Sequence, residues 1–176
     1  MKQLIIILGF LISGFGYSQS GETAYLKEPR SLDVVFSPGI FIQKEIFTEA
    51  NILLGTVYNN QSGYIPMVGA TGFRVGIETN LKSNENFIIA PKLGYEISVT
   101  YFSIRLSALN YFQNKQSEFR LLPEAGISIG GLINLTYGYG IGFGQTIHGI
   151  SNHRLSLSFN LNKRLWNAVI KGLDPD

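Results

Sequence analysis

The sequence has no cysteine, only two histidines and few charged residues. The lack of cysteine excludes disulfide bonds, thiolate metal sites, a cysteine nucleophile and a lipid-modified N-terminal cysteine. Charged residues make up 15% of the 176 residues, below the roughly 25% that is usual for soluble domains. The net charge of +2 predicts neither a nucleic-acid-binding surface nor an acidic tail. We expect no cofactor and no metal.

Long apolar runs are also missing, except near the N-terminus. There a basic start at Lys2 precedes an apolar run from Leu4 to Ile12, and small and polar residues lead to Ser18. This order is typical of a secretory signal peptide. An uncleaved membrane anchor is the alternative, but the run is shorter than the roughly 20 apolar residues of a spanning helix. Because no later segment is long and apolar enough, any residence in a membrane would depend on β-strands.

What the sequence does have is two-residue alternation. In INLTYGYGIGFGQ, which begins at Ile133, large apolar residues alternate with glycine, asparagine and threonine. Eight such segments, separated by turn-like stretches, predict an all-β, eight-stranded antiparallel up-and-down transmembrane β-barrel. Their ranges are 31–43, 45–58, 67–79, 87–97, 101–112, 118–130, 133–145 and 153–162.

The predicted domain boundaries follow from these segments. They are a signal peptide over 1–18, a mature N-terminal lead over 19–30, the β-barrel over 31–162 and a C-terminal periplasmic tail over 163–176. An even number of strands places both termini on one side, which we expect to be the periplasmic side. The tail is basic and then amphipathic, and we expect Trp166 to lie at a membrane interface.

The polar phase of the alternation indicates which side faces inward. A water-exposed surface would carry many lysines and acidic residues, whereas this phase is mostly small and holds one or two charges per strand, which suits a narrow lumen. Five acidic and five basic residues fall in it, and buried charges need partners. We therefore predict a lumen charge network of Asp33, Glu49, Arg74, Glu78, Lys92, Glu96, Arg105, Arg120, Glu124 and Arg154. Chance balance in a nearly neutral chain is the alternative.

The opposite phase is almost free of charge and rich in leucine, isoleucine, phenylalanine and tyrosine, as lipid requires. Aromatic residues near the segment ends are candidates for girdles at the level of the lipid headgroups, although ordinary strand aromatics would give the same pattern. They are Tyr58, Tyr64, Phe87, Tyr101, Phe102, Tyr111, Phe112 and Phe119.

With its signal peptide, eight alternating strands and final HRLSLSFNL, the chain resembles the small outer-membrane β-barrel proteins of Gram-negative bacteria. The closing strand and the Ser-Gln cleavage context are similar to barrels of the Bacteroidetes group, and the architecture resembles the OmpA/OmpX type. The resemblance implies an outer-membrane location, with lipid and lipopolysaccharide as surroundings. Such barrels often end on an aromatic residue, whereas here the 15 residues 162–176 follow Leu161.

Candidate catalytic residues are confined to one segment, QTIHGISNHR. Lipid A deacylases are outer-membrane barrels with a His-x-Ser pair near the last strands, and the nearest match here is His148 with Ser151, one residue too far apart. No acidic residue lies close downstream to orient the histidine, as a triad would need. The glycines of GYGIGFG lack the strand-to-helix context of a nucleotide fingerprint. We interpret the histidine segment as a surface loop.

The sequence therefore favours a monomeric outer-membrane barrel with a closed polar lumen and a non-enzymatic role in envelope integrity, surface interaction or a larger membrane complex. A membrane-protein partner is possible in the last case, and no nucleic acid is expected. One alternative is a lipid A-modifying hydrolase that uses His148 and Ser151. Another is a soluble periplasmic, lipocalin-like barrel that binds an apolar ligand; in it the apolar phase would face inward.

Overall fold

A computed structural model describes residues 32–60, 67–82, 87–144 and 147–173. The predicted signal peptide, the whole of the N-terminal lead, Tyr64 and the last three residues lie outside this part of the chain. The described residues form nine strand segments and a C-terminal helix: β1 Asp33–Gln43, β2 Glu45–Asn60, β3 Met67–Asn80, β4 Ile89–Val99, β5 Phe102–Gln113, β6 Gln116–Ile129, β7 Ile133–Tyr139, β8 Ile141–Gly144, β9 His153–Phe159 and α1 Lys163–Leu173.

The strands close into an eight-stranded antiparallel barrel. Each strand from β1 to β6 pairs with the next one along the chain, and β9 joins β7 to β1 to close the ring. The segments β7 and β8 are separated at Gly140 and both pair with β6, so together they occupy the seventh position. The predicted all-β, up-and-down barrel of eight strands is thus confirmed, with an interruption in its seventh strand.

The closing contact between β1 and β9 is interrupted at a proline. Gly39 pairs with Ser158 and Ile42 with Leu155, and farther along Phe36 and Leu161 exchange two backbone hydrogen bonds of 3.2 and 2.7 Å. Pro38 lies between these stretches and has no N–H to donate. The gap in the ladder therefore falls where the ladder would need a donor that proline lacks.

Alternation along the strands separates two kinds of surface. In β3, for example, Phe73 and Val75 are 63% and 49% exposed, whereas Arg74 between them is 1% exposed. The same pattern recurs around the barrel, because successive side chains of a strand point to opposite faces. The polar phase is buried in the lumen and the apolar phase forms the outer wall.

Glycines permit close contact between neighbouring strands at some positions of the wall. Gly55 of β2 pairs directly with Gly72 of β3. A Cβ atom on Gly72 would lie 2.3 Å from the carbonyl oxygen of Leu54, and one on Gly55 would lie 1.9 Å from that of Thr71. No side chain fits such a distance, so this stretch of the barrel requires glycine on both strands.

Each end of the lumen is closed by a cluster of apolar side chains. At the end where α1 packs, called the helix end, the cluster consists of Val35, Leu53, Val57, Val68, Ala70, Leu132, Leu165 and Ala168. At the opposite end, called the loop end, it consists of Phe41, Phe47, Ile88, Ala90, Leu109, Tyr111, Leu122, Ile147 and Ile150. Polar residues occupy the lumen between the two clusters. Within the described residues, no helix has the length and apolar character needed to span a membrane.

Candidate functional site: the lumen charge network

Nine of the ten residues predicted for the lumen network are buried inside the barrel. Alternation places them there, since each belongs to the inward phase of its strand. They come from β2, β3, β4, β5, β6 and β9, and cross-barrel contacts bring together residues far apart in the chain. The nine are Glu49, Arg74, Glu78, Lys92, Glu96, Arg105, Arg120, Glu124 and Arg154.

The centre of the network is a ring of two carboxylates and two cations. Lys92 Nζ donates hydrogen bonds to Glu49 and, at 2.7 Å, to Glu78 Oε1. Arg154 donates to the same two carboxylates, at 2.9 Å to Glu49 Oε2 and 2.7 Å to Glu78 Oε1. The guanidinium carbon of Arg154 also lies 3.4 Å from the ring centre of Phe41. Each carboxylate therefore has two cationic partners, as burial requires.

Arg74 extends this ring toward the helix end. It donates at 2.8 Å to Glu49 Oε1 and at 2.6 Å to Glu96 Oε2. Arg105 Nε lies 3.1 Å from Glu96 Oε2, and Arg105 Nη2 donates at 2.5 Å across the lumen to Ser158 Oγ. The network thus runs continuously from β2 to β5 and reaches β9.

Glu124 joins the network from β6. Its Oε1 atom accepts hydrogen bonds from Ser156 at 3.0 Å and Thr136 at 3.4 Å. It also lies 3.5 Å from Arg154 Nε. The carboxylate is thereby shared between hydroxyl groups of the neighbouring strands and the guanidinium at the centre.

Arg120 is paired separately at the loop end, with a residue that the sequence analysis missed. Arg120 donates at 2.7 Å to Glu118 Oε1, and both side chains are buried. Glu118 Oε2 accepts from the Ile147 amide at 2.8 Å, and Arg120 Nη1 donates at 2.7 Å to the Ser151 carbonyl. The pair therefore holds the chain between β8 and β9 over the lumen. Glu118 lies two residues before Arg120 and so belongs to the same inward phase of β6. This alternation is the sequence signal that could have assigned Glu118 to the lumen.

Asp33 lies apart from the other predicted members. It is the first residue of β1, at the helix end, where its Oδ2 atom accepts from the Val57 amide at 3.1 Å and lies 3.3 Å from Arg164 of α1. Because the lumen is closed there by α1, Asp33 pairs with the helix and not with the central cations. Glu118 takes its place in the balance of buried charge.

Among the described residues, buried negative and positive charges are equal in number. The five carboxylates are Glu49, Glu78, Glu96, Glu118 and Glu124, and the five cations are Arg74, Lys92, Arg105, Arg120 and Arg154. An uncompensated charge in such surroundings costs several kcal/mol, on the order of 3–5 when a partner is removed. The buried side chains of the described residues therefore carry no net charge in the lumen.

Several buried polar atoms of the lumen have no hydrogen-bond partner among the described residues. The donors are Arg74 Nε and Arg105 Nη1, and the acceptors include Asn134 Oδ1, Asn160 Oδ1 and Glu124 Oε2. Arg74, Arg105 and Asn160 each contact Glu96 through another atom, so these three side chains lie together in one part of the lumen. A mixture of donors and acceptors in a neutral setting suits water, which is both.

Tyr111, predicted as a girdle aromatic, lies in the lumen. Its hydroxyl donates at 3.0 Å to Glu78 Oε2, and Gln43 Nε2 donates to it at 3.1 Å. Its side chain is 1% exposed. The girdle assignment was therefore wrong for this residue. It relied on the position of Tyr111 near the end of its segment, whereas Tyr111 lies two residues from Leu109 and shares its inward phase.

The candidate catalytic pair is not joined. His148 is exposed, in a turn that connects β8 to β9. Ser151 Oγ accepts from the His153 amide at 3.2 Å, and no hydrogen bond links it to His148 in the described part of the chain. His153 instead contacts Tyr137 and Tyr139 on the outer wall. Among the described residues no group of three or more His, Cys, Asp or Glu could hold a metal ion.

Comparison with known proteins gives no relative from which a function could be inferred. No family model, curated protein or solved structure matches this chain. The barrel, its two surfaces and its lumen are therefore the basis for proposing a function.

Proposed function

We propose that this protein is a small outer-membrane β-barrel with a closed lumen. The observation that carries the proposal is the inverted distribution of side chains, with paired charges inside and apolar residues outside. Large apolar residues at 40% exposure or more occur on every strand, among them Ile52, Phe73, Leu93, Leu106, Ile127 and Leu155. A wall of this kind is suited to lipid and would form an exposed apolar patch far larger than monomeric soluble proteins carry.

The same distribution argues against a soluble barrel for an apolar ligand. Such a barrel needs an apolar interior and a charged exterior, whereas here the middle of the lumen holds carboxylates, guanidinium groups, serines and asparagines. A hydrophobic ligand placed there would displace ion pairs and leave charges without partners. The outer wall offers few charges to keep the barrel in water.

Membrane fractionation, followed by gels of heated and unheated samples, tests the proposal. We expect an outer-membrane band that migrates faster when unheated, because a folded barrel resists detergent until it is heated. A periplasmic protein that is extracted without detergent and shows no such shift would contradict the proposal. The soluble, ligand-binding barrel would then be the better hypothesis.

We further propose that the role is non-enzymatic and concerns the envelope, either its integrity, interactions at its surface or an accessory part of a larger complex. The arrangement that supports this is a lumen filled by its own side chains and closed at both ends. Outer-membrane lipid and lipopolysaccharide are the expected surroundings, and we expect a monomer.

A His148→Ala variant tests the non-enzymatic role. Because Ser151 bonds to the His153 amide, we expect the variant to leave the lipid A profile unchanged by mass spectrometry. Loss of a lipid A species in His148→Ala cells, restored by the unaltered chain, would instead support a hydrolase.

A further inference from the structure

Helix α1 has two faces with different surroundings. Leu165 and Ala168 are fully buried in the apolar cluster of the helix end, and Val169 packs against that cluster. Lys163, Trp166, Asn167 and Ile170 are exposed. These four follow a spacing of three and four residues, so they lie on a single stripe of the helix surface. One face therefore closes the barrel, and the other has no partner within the described part of the chain.

The beginning of α1 is held directly at the barrel wall. Asn162 Oδ1 accepts from the amides of Arg164 at 2.8 Å and Leu165 at 3.2 Å, which is an N-terminal cap. Asn162 Nδ2 donates at 2.9 Å to the Val34 carbonyl of β1. The ion pair between Arg164 and Asp33 adds a second link to β1. The exposed stripe therefore begins where the apolar outer wall ends.

The chemistry of the exposed stripe is that of an interfacial helix. Trp166 is 53% exposed and Ile170 47%, and Lys163 precedes them on the same stripe. The helix sequence KRLWNAVIKGL has three basic residues and no acidic one; the aspartates at 174 and 176 lie outside the described residues. Indole rings favour the boundary between headgroups and acyl chains, and basic residues favour anionic headgroups.

We propose that the stripe formed by Lys163, Trp166 and Ile170 binds the anionic headgroup region of the lipid leaflet around the helix end of the barrel. The inference rests on the proposed membrane location. The helix then has two roles, since its buried face closes the lumen and its exposed face binds anionic phospholipid. Trp166 and Ile170 enter the boundary of the acyl chains, and the Lys163 ammonium group contacts phosphate.

A lipid surface fits this stripe better than a protein partner does. A stable protein interface buries about 800 Å² on each partner, and two apolar side chains with one lysine supply only a fraction of that area. Shallow insertion into a leaflet needs no more than such a stripe. The adjoining wall residues Val34, Phe36 and Leu161, which are 59%, 49% and 47% exposed, continue the apolar surface from the helix to the strands.

Trp166 is the only tryptophan of the chain, so its fluorescence reports on this stripe alone. The full-length mature protein is refolded into phosphatidylcholine vesicles with and without phosphatidylglycerol. Its emission and its quenching by lipids brominated at shallow or deep acyl positions are then measured. We expect blue-shifted emission, stronger quenching by shallow than by deep bromines, and more quenching as the phosphatidylglycerol fraction rises. A Trp166→Phe variant sets the background.

The Lys163→Gln variant tests the electrostatic part, since it keeps the helix and removes one ammonium group. We expect it to insert as the unaltered protein does but to lose much of the dependence on phosphatidylglycerol. Equal dependence in both proteins would overturn the assignment of an anionic lipid. Blue-shifted emission that bromine does not quench, and that changes with protein concentration, would instead indicate a protein contact and overturn the proposal.

Unheated gels of the same vesicle samples separate this inference from the proposed function. An inserted barrel migrates faster unheated, whatever the position of Trp166. If that shift appears while Trp166 stays water-exposed and unquenched, the lipid-binding stripe is wrong and the membrane barrel stands. If no vesicle yields the shift, the membrane location fails and the lipid-binding stripe fails with it.

Discussion

Each buried charge in this barrel lies within salt-bridge distance of at least one charge of opposite sign. Glu49 contacts Lys92, Arg74 and Arg154, and Glu96 contacts Arg74 and Arg105. Since each of these two carboxylates has two or more cationic partners, removal of one cation leaves others in place but breaks the balance of charge. None of the ten buried charged residues is more than 4% exposed, so their partners come from within the lumen and not from water.

The lumen charges can be tested by single substitutions. We expect Arg105→Met and Glu124→Gln each to lower the free energy of unfolding, by about 3–5 kcal/mol for a buried charge that loses its partner. The measurement is the temperature at which the unheated gel band converts to the heated one. Lys82→Ala is the matched control: the Lys82 side chain is 51% exposed and that of its partner Glu45 is 26% exposed, so about 0–1 kcal/mol is expected. Unchanged midpoints for both lumen variants would contradict the paired-charge interpretation.

The unpartnered polar atoms of the lumen lead to a second prediction at this scale. Arg105 Nη1, Asn134 Oδ1 and Asn160 Oδ1 are buried without a partner among the described residues, and each such atom costs about 1–3 kcal/mol unless it is satisfied. In a crystal structure that resolves solvent, we expect ordered water within hydrogen-bond distance of these atoms. An anion bound at Arg105, or direct pairing of the three side chains, would contradict this expectation.

At the scale of elements, α1 is part of the barrel and not a free tail. Leu165 is fully buried between strands at the helix end, next to Val35 and Leu53. At the loop end, the chain after β8 lies over the lumen, where Glu118 and Arg120 hold it. Both ends are therefore closed by segments outside the regular strands.

Substitution of Leu165 tests the contribution of the helix to stability. We expect Leu165→Ala to lower the free energy of unfolding by about 2–5 kcal/mol, since a fully buried leucine leaves a cavity when it is truncated. Asn167→Ala, on the exposed stripe of the same helix, is the control and should change stability little. Urea unfolding in vesicles, followed by the gel shift, measures both. Equal midpoints for the two variants would show that the helix packs loosely on the barrel.

For the whole molecule, the closed ends and the neutral network predict a barrel that does not conduct. Eight strands enclose a lumen that side chains fill, and here two apolar clusters lie in series with the charges. In planar bilayers we expect no discrete current steps from the unaltered protein, at voltages where a protein-free bilayer is also silent. Reproducible steps of a single size would contradict the closed lumen.

Much of the architecture could be predicted from the two-residue period. Because side chains of a strand alternate strictly, the period alone separated Arg74 from Phe73 and Val75, and the same rule assigned nine buried charges to the lumen. It could not show that Arg154 pairs with Glu49, 105 residues away, since such pairs depend on the register of strands around a closed ring. Nor could it show that Asp33 pairs with Arg164, because that contact depends on where α1 docks.

The sequence by itself determined the strands, their number and the face on which each residue lies, since these depend on local alternation and on the turns between segments. Only the tertiary structure decided which charges are partners, that Glu118 belongs with Arg120, that Tyr111 points inward, and that residues 163–173 close one end of the lumen. These features depend on strand register, closure of the barrel and docking of the helix, which join residues distant in the chain and leave no local pattern.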